Sequence, residues 1–144
     1  MRYKGKKGKA WEAVKKAIRA TESDCYTCPK TDLIANGYKA DSGHYMPVAL
    51  VGSNNTCSWD RRFIHLQCSH CNGAGQGMQV QYRNHLLRDY GKAIVEAFER
   101  QCTRTSPVKD WDAVRREYEE IHLHEVQATS WTSHLGSRKK SVAV

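Results

Sequence analysis

No stretch of this chain is apolar for long enough to cross a bilayer, which excludes an integral membrane protein built on spanning helices. No apolar run follows the basic opening of residues 1–9 either, so no secretory leader is read there and an intracellular, reducing setting is expected. In that setting the six cysteines are thiols or metal ligands rather than three disulfides. The scarce charge is the acidic one: 15 Asp and Glu against 23 Lys and Arg leave a formal net charge of +8. That balance points to a polyanionic partner, nucleic acid first, because each phosphate neutralised by Lys or Arg releases counterions. Internal repeats are absent, which excludes a solenoid. Apolar residues are thin in the middle of the chain, so the centre needs something besides a hydrophobic core to hold it.

That something is written between residues 25 and 72. Cys25 and Cys28 form one Cys-x-x-Cys knuckle, and Cys68 and Cys71 form another. Each knuckle places two sulfurs on one tight turn, so apposing the turns completes a tetrahedral zinc site. A structural zinc contributes on the order of 10 kcal/mol to folding, enough to replace a missing core. Cys57 and Cys102 fall outside this spacing and read as free thiols.

The rest of the chain reads as α+β, mostly α by residue count. Residues 1–9, with Lys4, Lys6, Lys7 and Lys9, form a basic flexible arm suited to phosphates. Trp11, Val14, Ala17 and Ile18 recur at helical spacing, which predicts an amphipathic helix over 10–21. Turns follow at residues 31–33 and at Asn36-Gly37. Extended segments at 38–48 and 62–66 then flank a polar loop at 53–56 and make a hairpin between the knuckles. Cys71-Asn72 opens the next element. Helices are predicted from Gln79 to Tyr90, ended by Gly91, and over 92–101. A further helix starts at Ser106-Pro107, carries Trp111, Val114, Tyr118 and Ile121 on one face, and runs to about Val126. The organisation is thus an arm at 1–9, a zinc-bound domain with flanking helices at 10–101, a C-terminal helix at 102–127 and a basic flexible tail at 128–144.

Chemistry enters with what lies between the knuckles. The hairpin carries His44 on its first strand, and Asn72 stands at the start of the following helix, so both can face one cleft. A neutral imidazole takes a proton from water, while an amide oxygen and a carboxylate hold a hard cation such as magnesium or manganese beside a phosphate. That set suffices for hydrolysis of a phosphodiester. Arg61, Arg62, Arg83 and Arg88 lie near the cleft in sequence and are candidates for phosphate contact, the plainer alternative being solvated charge.

Read in order, Cys25-x-x-Cys28, Asp41-x-Gly43-His44-Tyr45, Ile64-His65-x-Gln67-Cys68-x-x-Cys71-Asn72, Tyr82-Arg83 and Gly91, the chain resembles the NinG (Rap) recombination endonucleases of lambdoid phages over about residues 23–99. More distantly, the four cysteines, the histidine between them and the Cys-Asn ending resemble phage recombination endonuclease VII, a Holliday-junction resolvase. Both groups are HNH, or ββα-metal, nucleases. The resemblance implies a treble-clef, ββα-metal core with flanking helices, a structural zinc and one catalytic divalent ion, in a phage protein acting in the host cytoplasm. It implies His44 as general base and Asn72 as a ligand of the catalytic ion. It also implies Asp41 as the second ligand, with Asp60 and His65 in reserve. Two departures stand out: Gly43 occupies the place where the endonuclease VII pattern has an aspartate, and Phe63 replaces an asparagine common in HNH sequences. The implied substrate is branched DNA, Holliday junctions or D-loops, cut to leave a 5′-phosphate and a 3′-hydroxyl. Symmetric cutting of a four-way junction needs two active sites, which suggests a homodimer through residues 92–126.

The competing class is a non-catalytic zinc-binding module that recognises DNA junctions by charge. It accounts equally for the cysteines and the +8 charge, but not for Asp41, His44 and Asn72 at their places. Both readings predict that binding to duplex DNA weakens steeply with salt, by about a thousand-fold or more between 50 and 200 mM if six or more phosphates are contacted. Fluorescence anisotropy titrations at several salt concentrations check this, and a flat salt dependence would contradict both.

Overall fold

The computed structural model describes residues 2–135. The last nine residues of the expected basic tail, Arg138, Lys139 and Lys140 among them, lie outside that range. The chain folds as a mixed structure, mostly helical, around one small two-stranded sheet.

The first helix, α1 (Gly5–Thr21), buries Trp11, Val14, Ala17 and Ile18 together with Ala10 and Ala13, the stripe that the periodicity marks. It begins five residues earlier than the spacing predicts, so most of the expected flexible arm is helix. Tertiary contacts explain the difference. Lys6 pairs with Asp112 at 3.0 Å, and Lys7 Nζ sits 4.3 Å from the centre of the Tyr3 ring while donating to Ser53 and Asn54. Those contacts carry the helix through a glycine- and lysine-rich turn that propensity alone would leave frayed.

After the first knuckle, β1 (Ala40–His44) pairs antiparallel with β2 (Ile64–Cys68), in a register that sets Ala40 opposite Cys68 and His44 opposite Ile64. Every residue of β2 is buried. Alternation along the pleat explains why. Ile64, Leu66 and Cys68 join α1 in one core that also takes in Leu33, Trp59 and Tyr118. His65 and Gln67 turn to the other side, where His65 stacks on Tyr26 with ring centroids 3.8 Å apart. A second core there contains Tyr45, Phe63, Tyr82, Leu86, Val95 and Phe98. Its helices are α4 (Gln79–Tyr90) and α5 (Lys92–Gln101). Gly91 separates them, as the pattern predicts. A one-turn helix, α2 (Val48–Val51), lies in the long hairpin connection, and another, α3 (Ser69–Asn72), follows β2 directly. Asn72 therefore ends an element rather than opening one.

The last helix, α6 (Trp111–Leu135), packs against α1. It does not start at Ser106-Pro107. Pro107 instead forms an extended bridge with Asn55, and Val108 donates its backbone N–H to Asn54 at 2.7 Å. Asp110 caps the helix by accepting from the Ala113 N–H at 3.1 Å. The helix also continues past Val126, through residues 128–135 of the expected tail.

Gly43 is the tightest point of the hairpin. A Cβ there would stand 1.8 Å from Gln67 Oε1, and Gln67 is fully buried and held by Thr27 and the Gly77 carbonyl. We expect Gly43→Ala to destabilise the fold by about 1–3 kcal/mol through overpacking. Urea denaturation checks this, with Gly43→Ala/Gln67→Ala losing less than the sum of the two single changes because the pair is in contact.

Candidate metal centre and hydrolytic site

The two knuckles meet at the end of the hairpin. The Sγ atoms of Cys25, Cys28, Cys68 and Cys71 all lie within 4.8 Å of one another, and those of Cys28 and Cys68 are 3.8 Å apart. Thiolates about 2.3 Å from a tetrahedral zinc stand about 3.8 Å from each other, so the four residues could hold zinc. The surroundings suit such an ion. Cys25 Sγ accepts the Cys68 backbone N–H at 3.3 Å and lies 3.7 Å from the Thr27 hydroxyl. Burial pushes the Cys25 thiol up, but these hydrogen bonds outweigh it and bring its pKa to about 6. Cys71 is pushed up to about 12, chiefly by burial. A bound cation would reverse that and hold every sulfur as thiolate. Thr27 is in turn held by Gln67 Nε2 at 2.9 Å, which ties the metal cluster to the second core. Cys57 and Cys102 are free thiols.

Asp41 and Asn72 are brought together: Asn72 Nδ2 donates to Asp41 Oδ2 at 3.4 Å on the exposed side of α3. They offer hard oxygen donors of the kind that magnesium takes while keeping several waters, provided the Asn72 amide turns its oxygen toward the ion. His44 is placed differently. It stands three residues along β1, about 10 Å by strand rise, and on the alternate face. No hydrogen bond joins it to Asp41 or Asn72. Its ring stacks on Trp11 with centroids 5.4 Å apart and planes 15° from parallel.

The His44 ring has a defined proton arrangement. Nε2 lies 2.8 Å from the Ser58 carbonyl, which can only accept, so Nε2 carries the proton and Nδ1 keeps its lone pair. Burial lowers the pKa of His44 below 6.5, opposed in part by the Ser58 carbonyl. The imidazole is thus neutral at physiological pH, with Nδ1 as a proton acceptor. Trp11 belongs to the core, as its spacing indicates, but it also supports this ring. The Ser58 carbonyl carries no signature in sequence.

The reserve residues are occupied elsewhere. His65 is buried, with Nδ1 3.0 Å from Glu22 and Nε2 2.9 Å from the Arg62 carbonyl, and neither nitrogen reaches His44. The Asp60 carboxylate accepts three hydrogen bonds from Arg62. Among the candidate phosphate contacts, Arg61 is drawn into the fold by Glu22, Thr21 and the Ile64 carbonyl. Arg83 makes a two-point pair with Glu99, and Arg88 pairs with Asp89. Lys7 is tied to Ser53 and Asn54, whereas Lys4 and Lys9 are exposed. Glu22, which anchors Arg61, His65 and the Leu66 N–H, was not marked by any motif.

A family model described as Bacteriophage Lambda NinG protein matches residues 3–127. Neither a curated protein sequence nor a solved structure matches the chain.

Cys25→Ser or Cys71→Ser is expected to lose zinc and solubility together, because an ion held by these four sulfurs would contribute folding free energy. Metal analysis of the purified variants checks this, and a soluble, folded variant without zinc would contradict it.

Proposed function

This chain belongs to the NinG family, which is related to phage recombination, and from that membership and the site geometry we propose that it is a metal-dependent endonuclease of branched DNA. The observation that carries the proposal is the His44 ring: neutral, stacked on Trp11, and fixed through Nε2 so that Nδ1 can take a proton from water. In this reading the order of knuckle, hairpin and helix is a zinc-stabilised ββα-metal, HNH-like core.

Asp41 and Asn72 would hold the catalytic magnesium or manganese, which supplies charge to a phosphodiester and its leaving oxygen. His44 Nδ1 removes the proton of the attacking water, and the Ser58 carbonyl stabilises the imidazolium that forms. The 3′-oxygen leaves and takes a proton from solvent water, giving a 5′-phosphate and a 3′-hydroxyl. Lys4 and Lys9, both exposed, supply outlying positive charge for the DNA backbone, and Lys6, Arg62, Arg83 and Arg88 would join them by giving up their carboxylate partners. The setting would be the host cytoplasm, and a homodimer would cut both strands of a junction.

One observation favours the second reading, a non-catalytic junction-binding module: His44 and the Asp41–Asn72 pair lie on alternate faces of β1. Kinetics separate the two. His44→Ala is expected to keep zinc and junction binding while losing about a hundred- to ten-thousand-fold in cleavage rate. Asn72→Ala is expected to be partly rescued by excess magnesium or manganese. The base must be neutral to act and its pKa is lowered, so the wild-type rate should fall only as pH drops below 6.5. Cleavage of a labelled four-way junction across pH checks all three, and a His44→Ala protein that cuts at the wild-type rate would contradict the proposal.

A further inference from the structure

Among the described residues α2 is the helix with no buried side chain, although its sequence is Val48-Ala49-Leu50-Val51. Leu50 is 75% exposed, more than any other large apolar side chain described. Val51 packs by one side against the second core and Val48 is half-buried, so Leu50 is the large apolar side chain of α2 that stands in solvent. The turn behind it is fixed. Gly52 has φ 102°, a backbone that glycine adopts without strain, and its carbonyl accepts the Ser58 hydroxyl at 2.8 Å. Trp59 Nε1 donates to the Ser53 carbonyl at 2.8 Å, and Lys7 reaches Ser53 Oγ at 2.6 Å.

Opposite this turn runs the segment of residues 102–107, stitched to it by Asn55 Nδ2 on the Arg104 carbonyl at 2.9 Å and by the Thr56 N–H on Ser106 at 2.8 Å. Between the two walls lies an open cleft of about 420 Å³. Leu50 and Val51 are among its lining residues on the α2 side and Arg104 on the other, and no carboxylate lines it. The Arg104 side chain is exposed and makes no hydrogen bond or ion pair among the described residues. Ser58, at the end of the same turn, holds the His44 ring.

We propose that this cleft takes one unstacked nucleotide of a DNA strand at a branch, its base against Leu50 and Val51 and its phosphate on Arg104. The inference rests on the endonuclease reading and adds a source of branch preference to it. One unpaired cation with no opposing acid suits one phosphate, and an apolar lip suits the face of a base of any sequence. The volume falls in the range of small-ligand sites, about 300–1,000 Å³. A base still paired and stacked cannot enter. At a branch, where pairing is interrupted, extrusion costs least.

The test uses the full chain without added magnesium and a forked duplex carrying 2-aminopurine at the first unpaired position, with the same duplex fully paired as control. Wild type should raise the fork's emission, because the base leaves its stacked neighbours for an aliphatic surface, and should prefer fork to linear duplex. Leu50→Ser and Arg104→Gln should each abolish the rise and lower the preference about tenfold, with linear binding within about threefold of wild type. The exposure of both residues keeps the fold out of the result, and circular dichroism verifies that. Variants that keep the emission change and the preference would overturn this inference, while cleavage by the wild type would leave the nuclease reading standing. A wild type that binds neither probe and cuts nothing would overturn both.

Discussion

Four sulfurs held within 4.8 Å of one another close the end of the hairpin, and the remainder of the molecule is arranged from that point. The first knuckle precedes β1 and the second follows β2 directly, so apposing the knuckles sets the strand register: Ala40 falls opposite Cys68. The register then decides which side chains go to which core. Ile64 and Leu66 meet α1, and Gln67 reaches Thr27 beside the sulfurs. A two-stranded sheet on its own is marginal in water. Here a four-cysteine cluster that could hold zinc closes one end, and helical cores pack on both faces.

Gln67 shows how closely the four-cysteine cluster and the strand that carries Asp41 and His44 are connected. Its amide nitrogen bonds Thr27 and the Gly77 carbonyl, and its oxygen lies so near Gly43 that no side chain fits there. The residue before His44 is thereby kept without a carboxylate. The nearest carboxylate on that face moves back to Asp41, where Asn72 meets it. The glycine at position 43 thus has a packing cause in this chain.

Much of this is legible in the sequence. Paired Cys-x-x-Cys spacing depends only on local turn geometry, which is why the four-sulfur cluster could be read directly. The α1 stripe and the limits of α4 and α5 follow from periodicity and a terminating glycine. Structure departs from local pattern where tertiary contacts override local preference. Lys6 and Lys7 find partners in Asp112, Ser53 and Asn54, and so turn an expected arm into helix. Asp110 outcompetes Ser106-Pro107 as the start of α6 because residues 107 and 108 are held extended by Asn54 and Asn55. In the site, the histidine and the asparagine were visible as residue types. The Ser58 carbonyl that sets the tautomer was not, since a backbone acceptor leaves no mark in sequence, and Glu22 looks like any other surface acid.

The central claim is that this scaffold hydrolyses a phosphodiester rather than only holding a junction. End-group analysis of a labelled four-way junction, incubated with the zinc-loaded protein and magnesium, tests it most directly. The account predicts nicks near the branch that DNA ligase reseals without prior treatment, since each carries a 5′-phosphate and a 3′-hydroxyl. A junction that is bound and shifted on a gel, yet recovered intact at every magnesium and manganese concentration, would contradict it.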